Sequence, residues 1–125
     1  MRKIIKFIIL ILLGHSTISC ESFYGKSVEP ELSVWSHEFP KDGGTFFIHS
    51  NVYVTVDSCT SEGERYSDPD SDTTAGPWFT VINNPDTFDI EITVDKNTSG
   101  QRREFYISIQ NLNWYGTIHI YQDNQ

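Results

Sequence analysis

The sequence predicts an all-β protein folded as an antiparallel β-sandwich, and three runs of alternating residues carry this prediction. Residues 88–95 alternate strictly between apolar and polar side chains. One face of this run would be apolar, with Phe88, Ile90, Ile92 and Val94. Residues 102–110 and 114–122 repeat the pattern. Alternation with a period of two is typical of a half-buried strand. Because clusters of Asn, Pro, Ser and Gly separate the runs, we expect antiparallel neighbours that cover a core with one face.

The chain before these runs predicts two further strands and a loop. Residues 32–36 alternate and predict a first strand, which a turn at residues 41–44 would follow. Residues 45–56 predict a second strand, interrupted by a β-bulge at Ser50–Asn51. Residues 57–76 are polar and acidic with hardly any apolar side chain, so we expect a long loop there.

A strand that starts at Trp78 completes the predicted architecture. Phe79 and Val81 follow, which predicts that Trp78 lies in the core. A turn at residues 83–86 then leads into the three alternating runs. No segment of residues 21–125 has helical periodicity. About seven short strands with turns between them predict an immunoglobulin-like β-sandwich.

The first 20 residues predict an export signal. Basic residues at positions 2, 3 and 6 precede the apolar run Phe7–Leu13, which is too short to span a bilayer. Thr17-Ile18-Ser19-Cys20 then resembles a bacterial lipobox, in which a signal peptidase cuts before the cysteine and the cysteine is lipidated. We therefore expect a signal peptide over residues 1–19, a polar tether over residues 20–29 and a domain over residues 30–125.

The lipid on Cys20 would anchor an exported protein to the bacterial cell envelope, at the outer membrane. An ordinary secretory signal with an incidental cysteine is the alternative. Removal of residues 1–19 would leave 6 basic against 17 acidic residues, a net charge of −11. Such a surface repels nucleic acid and anionic membranes, so neither is expected as a partner of the domain. Neutral glycans are not excluded, because stacking and hydrogen bonds bind them.

The cysteine, histidine and carboxylate residues form no pattern typical of an active site, so we predict no enzyme, no cofactor and no metal site. Cys59 has no partner if Cys20 is acylated, and it is either a small filler near a strand end or a free exposed thiol. The histidines are not spaced as metal ligands. Residues 68–72 space carboxylates as a Ca²⁺ loop does, but the glycine and the closing glutamate are missing.

Outward-facing aromatic side chains are the main candidate for a binding site. If the apolar residues of the last two runs face the core, one outer face would carry Tyr106, Gln110, Tyr115, His119 and Tyr121. A tight turn at residues 112–113 would place Tyr106 opposite His119 and Gln110 opposite Tyr115. A flat ribbon of rings between amide and hydroxyl groups suits sugars, whose C–H faces stack on aromatic rings. The alternative is that these cross-strand pairs only stabilise the sheet.

A second candidate site is the tip of the last hairpin. Trp114 and Leu112 would lie there, with Tyr66 from the long loop and Trp35 near the first strand. An exposed tryptophan at such a tip often marks a contact with a ligand or partner.

The ordered set of motifs resembles the BACON family, the Bacteroidetes-associated, carbohydrate-binding, often N-terminal domain. The resemblance covers about residues 31–122, and these stretches carry it: Leu32 and Val34, Gly43-Gly44, Ser50-Asn51-Val52, Trp78-Phe79-Thr80-Val81, residues 97–102, residues 105–109 and residues 118–122. It implies an immunoglobulin-like sandwich, secretion, glycan binding and no enzymatic activity. In the family a tryptophan usually follows the Ser-Asn pair, where this chain has Val54, and a catalytic module usually accompanies the domain.

Two functions follow as hypotheses. The first is a surface-anchored, non-catalytic glycan-binding lipoprotein that gains avidity from many copies on one surface. The second is a structural spacer or protein-interaction module within an envelope complex.

Overall fold

A computed structural model describes residues 28–125, and in this part of the chain every regular element is a strand. The strands form two sheets, which confirms the predicted all-β sandwich, with nine strands rather than about seven. The bounds are β1 Ser36–Phe39, β2 Gly44–His49, β3 Thr55–Ser61, β4 Glu64–Tyr66, β5 Thr73–Ala75, β6 Phe79–Asn83, β7 Asp89–Val94, β8 Arg103–Asn111 and β9 Trp114–Gln122. One sheet has the order β1-β9-β8-β3-β4 and the other β2-β7-β6-β5. All pairings are antiparallel except β1 with β9, which is parallel.

The core lies between the sheets and is formed by the alternating apolar positions. Phe105, at its centre, is fully buried and stacks on Phe79 with ring centroids 3.9 Å apart. Trp78 meets Phe105 edge-on at 5.2 Å and is 9% exposed, which confirms it as a core residue. Burial of this apolar surface is the main stabilising contribution to such a sandwich.

The predicted first strand was placed too early. The strand is Ser36–Phe39, whereas Leu32 makes only an isolated bridge with Ser50. Leu32 and Val34 are partly buried against the core, so their alternation reflects packing without a ladder of hydrogen bonds.

The predicted bulge at Ser50–Asn51 is wrong, because the chain changes sheets there. β2 pairs with β7 in one sheet and β3 pairs with β8 in the other. At the crossing the Ser50 hydroxyl donates to the Val52 carbonyl at 2.6 Å, a local turn that ends the strand. A register shift does occur, but later, between Val56 and Ser58.

The predicted loop over residues 57–76 is also largely wrong. β3 continues to Ser61, and Glu62 and Gly63, with φ values of 52° and 80°, turn the chain into β4. After β4 only residues 67–72 are irregular before β5 begins in the other sheet. β4 and β5 are polar edge strands of three residues each, so they show no apolar period.

Two smaller outcomes concern the turns and the N-terminus. The turn at residues 83–86 is present, but Phe88 has a φ of 62° and precedes β7 rather than lying in it.

The predicted signal peptide, Cys20 and tether residues 20–27 lie outside the described residues. Within residues 28–125 there is no helix that is long and apolar enough to cross a membrane.

Cys59 is a buried filler and not an exposed thiol. Its side chain is fully buried in the core, and burial raises the pKa of the thiol to about 12. The thiolate, which is the nucleophile, would therefore form only about one part in ten thousand of the population at pH 8.

We expect Cys59 to resist alkylation in the folded protein. In a Cys20→Ser variant, which leaves one thiol, iodoacetamide at pH 8 should modify the protein only after it unfolds in guanidinium, as measured by mass spectrometry. Modification of the folded protein at the rate of a free cysteine would show that Cys59 is accessible.

Candidate functional site

The predicted outward-facing residues lie on the five-stranded sheet, on the side opposite the core, which we call the outer face. The tight turn at residues 112–113 is confirmed, with Leu112 at a φ of 50°. The register is also confirmed, since Tyr106 pairs with His119 and Gln110 with Tyr115. The β8 and β9 residues on this face are Glu104, Tyr106, Ser108, Gln110, Tyr115, Thr117, His119 and Tyr121.

Three rings of the outer face form one stack, which we call the ring stack. His119 lies between Tyr106, 4.2 Å away at an interplanar angle of 24°, and Tyr121, 3.8 Å away at 36°. The ring faces are thus turned toward one another rather than laid flat in a ribbon. The stacked rings therefore stabilise the pairing of β8 with β9. Their edges and hydroxyl groups, rather than their faces, point toward solvent.

Polar contacts hold the ring stack in place. His119 Nε2 lies 3.0 Å from a Glu104 carboxylate oxygen, and its Nδ1 lies 2.6 Å from the Tyr121 hydroxyl. The Arg102 guanidinium lies 4.6 Å from the centre of the Tyr121 ring and 3.4 Å from the Glu38 carboxylate. Both nitrogens of His119 are therefore engaged, which fixes the ring orientation.

Tyr106 remains a neutral phenol at physiological pH. Desolvation against its neighbours is the largest cause that raises its pKa, followed by the negative charge of Glu104, by Tyr121 and by a hydrogen bond to Glu104. The hydroxyl can therefore donate and accept hydrogen bonds at the surface.

Tyr115 presents the most exposed ring of the outer face. It is 67% exposed, and the Gln110 amide donates to its hydroxyl at 3.2 Å and to the Leu112 carbonyl at 2.7 Å. His119 lies four positions along β9 from Tyr115, a distance of about 13 Å. A ring that is both exposed and held by a neighbour can stack on a flat ligand with little loss of side-chain entropy.

The hairpin tip differs from the predicted second site. Trp114 is half-buried, because it points to the core side of β9 and its ring covers Gly116, where a Cβ would lie 2.2 Å from the ring. Trp35 lies 5.9 Å away and is 38% exposed, so these two rings do meet. Tyr66 does not join them; it packs edge-on against Phe79 at 5.7 Å. Leu112, 60% exposed, is the residue that projects at the tip.

A cleft of about 260 Å³ that the sequence did not predict lies at one edge of the sandwich, and we call it the acidic cleft. It lies between the start of β3, β5 and the connection at residues 67–72. Its walls are Tyr53, Thr55, Val56, Asp57, Ser67, Asp68, Pro69, Ser71, Asp72, Thr74 and Asn83. No local pattern could reveal it, because Tyr53, in the connection before β3, and Asn83, at the end of β6, are 30 residues apart in the sequence.

A wider recess of about 520 Å³ lies at the other end of β3. Tyr66, Trp78 and Arg103 contribute to its wall. The Arg103 guanidinium lies 4.2 Å from the centre of the Trp78 ring, and its Nε donates to the Gln122 side chain at 2.8 Å. Arg103 is thus held by the fold and closes the end of the core.

Within residues 28–125 no group of three or more His, Cys, Asp or Glu side chains is placed to hold a metal ion. His49 pairs with Asp89 at 2.8 Å, and His37 stacks on Phe46 at 3.5 Å, so each imidazole has a local role. Burial of His37 lowers its pKa and favours the neutral ring.

Comparison with known proteins shows the fold alone. No family model matches the chain, and no curated protein matches it significantly. Among solved structures, a protein from Bacteroides thetaiotaomicron determined by NMR is similar, with a TM-score of 0.64 and 16% sequence identity. The match covers 79% of this chain and 90% of that chain.

Proposed function

We propose that this protein is a non-catalytic glycan-binding lipoprotein of the bacterial cell envelope, with a domain of the BACON type. The observation that carries the proposal is Tyr115, a ring that is 67% exposed and oriented by the Gln110 amide. A flat ring beside an amide offers what a pyranose needs, a stacking surface and hydrogen-bond partners.

The rest of the outer face supports the same ligand class. The ring stack begins about 13 Å along the strand from Tyr115, and it presents the hydroxyls of Tyr106 and Tyr121. Ser108 and Thr117 lie opposite each other between the two groups and add hydroxyls. A glycan of a few sugar units would span this surface. Such an open face gives weak single contacts, and copies anchored through Cys20 at the outer membrane would supply avidity.

A glycan array tests the proposal, with the protein displayed multivalently. We expect specific binding to mucin-type or plant oligosaccharides that Tyr115→Ala weakens. Loss of one ring contact is worth about 0.5–1.5 kcal/mol, a factor of roughly 2–13 per site, and multivalency amplifies it. Phe47→Ala is the matched control, because Phe47 is 57% exposed but lies on the other sheet.

Other outcomes of the array would move or remove the site. Loss of binding only in Trp114→Ala would place the sugar at the hairpin tip. Retained binding in both variants would contradict a site on the outer face at Tyr115. Hydrolysis of any glycan above background would contradict the non-catalytic role.

The alternative, a spacer or partner-binding module in an envelope complex, is favoured by one observation. Phe47 is exposed on β2, which is an edge strand of the four-stranded sheet. Edge strands can pair with a strand of another chain. If no glycan binds, a pull-down from envelope extract that Phe47→Asp abolishes would support this function.

A further inference from the structure

The described chain enters the domain at the tip of the β8–β9 hairpin. The backbone amide of Val28 donates to Asn111 Oδ1 at 3.3 Å. Asn111 also donates through its Nδ2 to the Tyr53 carbonyl at 2.9 Å. The N-terminal entry, the hairpin tip and the connection before β3 therefore meet at one end of the sandwich, which we call the hairpin end. β9 leaves this end and finishes at Gln122, at the opposite end.

Most of the exposed large apolar side chains of residues 28–125 collect at the hairpin end. There are seven in this part of the chain, and the two elsewhere are Phe47 and Tyr106, on different sheets. The five at the hairpin end are Val28, Trp35, Tyr53, Leu112 and Tyr115. Apolar side chains that collect at one end, rather than scattering singly, indicate contact with an apolar partner.

The hairpin itself carries no formal charge. Residues 105–122 contain no Asp, Glu, Lys or Arg, and neither do residues 50–56. Carboxylates border the hairpin end at Glu29 and Glu31. The opposite end carries charges of both signs: Lys41, Asp95, Lys96, Arg103 and Asp123. The hairpin end therefore suits a partner that is apolar and has no net negative charge.

The length of the chain before Val28 indicates which partner lies within reach. Seven residues separate Cys20 from Val28. Because an extended chain spans at most about 3.6 Å per residue, a lipid on Cys20 would hold Val28 within about 29 Å of the membrane. β9 alone is about 27 Å long. A tether of this length would be almost fully extended in passing along the sandwich, so the hairpin end is the end that faces the bilayer.

We propose that the hairpin end docks on the zwitterionic lipid surface that holds the anchor; this rests on the lipidation of Cys20 in the proposed function. Leu112 enters the headgroup layer, with Val28 and the ring of Trp35 beside it. Tryptophan and tyrosine side chains favour this layer, because the ring is apolar and its polar group stays hydrated. The tether raises the effective concentration of the hairpin end at the surface, so the weak contacts of a few side chains suffice.

Docking leaves the outer face available to a glycan. The strands run away from the hairpin end, so the outer face stands upright on the membrane. Tyr115 then lies near the headgroups, and the ring stack begins about 13 Å farther out. Leu112, Val28 and Trp35 contribute to the lipid contact and not to the sugar site, so the two proposals can fail separately.

The test measures how close the tryptophans lie to lipid. Residues 20–125, which contain every described strand, are coupled through the Cys20 thiol to a maleimide lipid in phosphatidylcholine vesicles. Cys59 is buried and does not compete for the maleimide. We expect phosphatidylcholine brominated near the headgroup end of its acyl chains to quench Trp35 and Trp114, whereas Trp78, in the core, stays fluorescent. Added phosphatidylglycerol should reduce the quenching, because the domain is negatively charged.

Two matched variants show which surface makes the contact. Leu112→Asp removes an apolar side chain and adds a charge, and it should fold, because aspartate adopts the φ of 50° at this position more readily than leucine. The ratio of docked to undocked domains should fall at least about tenfold, and the quenching should fall with it. Phe47→Asp makes the same kind of change on the other sheet and should leave the quenching unaltered.

Three results would overturn the proposal. One is the absence of quenching in the unaltered protein, which would mean that the hairpin end stays in water. Another is an equal loss of quenching in both variants. A third is dimerisation of the uncoupled chain that Leu112→Asp abolishes in analytical ultracentrifugation, which would assign the hairpin end to a second copy. Absence of acyl chains on Cys20 in protein extracted from cells would refute the proposed lipoprotein instead, whatever the vesicles show.

Discussion

Phe105→Ala should unfold much of the protein at temperatures where the unaltered chain is folded. Phe105 is the largest fully buried side chain, stacked on Phe79 and edge-on to Trp78. Truncation of a buried phenylalanine costs about 3–5 kcal/mol. A sandwich of this size has a free energy of unfolding of about 5–15 kcal/mol, so the change removes a large share of it. We expect the Tm to fall by roughly 12–40 °C, as measured by circular dichroism.

Phe47→Ala is the matched control, since it makes the same chemical change at a side chain that is 57% exposed. It should alter the free energy of unfolding by less than about 0.5 kcal/mol. Similar losses in both variants would mean that Phe105 does not occupy the centre of the core.

Gly43→Ala should be the most damaging substitution outside the core. Gly43 has a φ of 80°, and a Cβ there would lie 2.2 Å from the backbone oxygen of Val94 in β7. The left-handed conformation alone costs an L-residue about 1–2 kcal/mol. The clash adds to this, because backbone oxygen cannot rotate away as a side chain can, and β2 must separate from β7. We expect a total loss of about 3–5 kcal/mol in a denaturant titration.

Gly100→Ala separates the two causes of this loss. Gly100 has a nearly identical φ of 78°, but nothing lies within 4 Å of the position of its Cβ. It should lose only the conformational part, about 1–2 kcal/mol. Equal losses at both glycines would show that the approach to Val94 contributes nothing.

The predictions from sequence succeeded for strands that have one face buried in the core and the other exposed to solvent. In β7, β8 and β9 apolar and polar residues therefore alternate with a period of two. The same alternation, with the tight turn, correctly predicted that Tyr106 pairs with His119. The prediction failed at β4 and β5, short edge strands with little apolar surface to alternate. It failed again at Ser50, where a local hydrogen bond and not a hydrophobic pattern directs the chain into the other sheet.

The candidate site was predictable in its membership but not in its shape. Alternation placed Tyr115, His119 and Tyr121 on one face, whereas the mutual stacking of the rings depends on side-chain torsions and on contacts such as that of His119 with Glu104. Trp114 lies at the hairpin tip as predicted but is less exposed than expected, because its ring lies over Gly116, two residues along the strand. The acidic cleft forms only when the connection before β3 packs against the end of β6, which brings Tyr53 to Asn83.

The most direct test of glycan binding by the outer face is a map of the amide resonances that shift when an oligosaccharide selected on the array is added. We expect shifts concentrated at Gln110, Tyr115 and the ring stack, with the four-stranded sheet unaffected. Shifts centred on Trp35 and Trp114 or on Phe47, or no saturable shifts with any oligosaccharide, would contradict it.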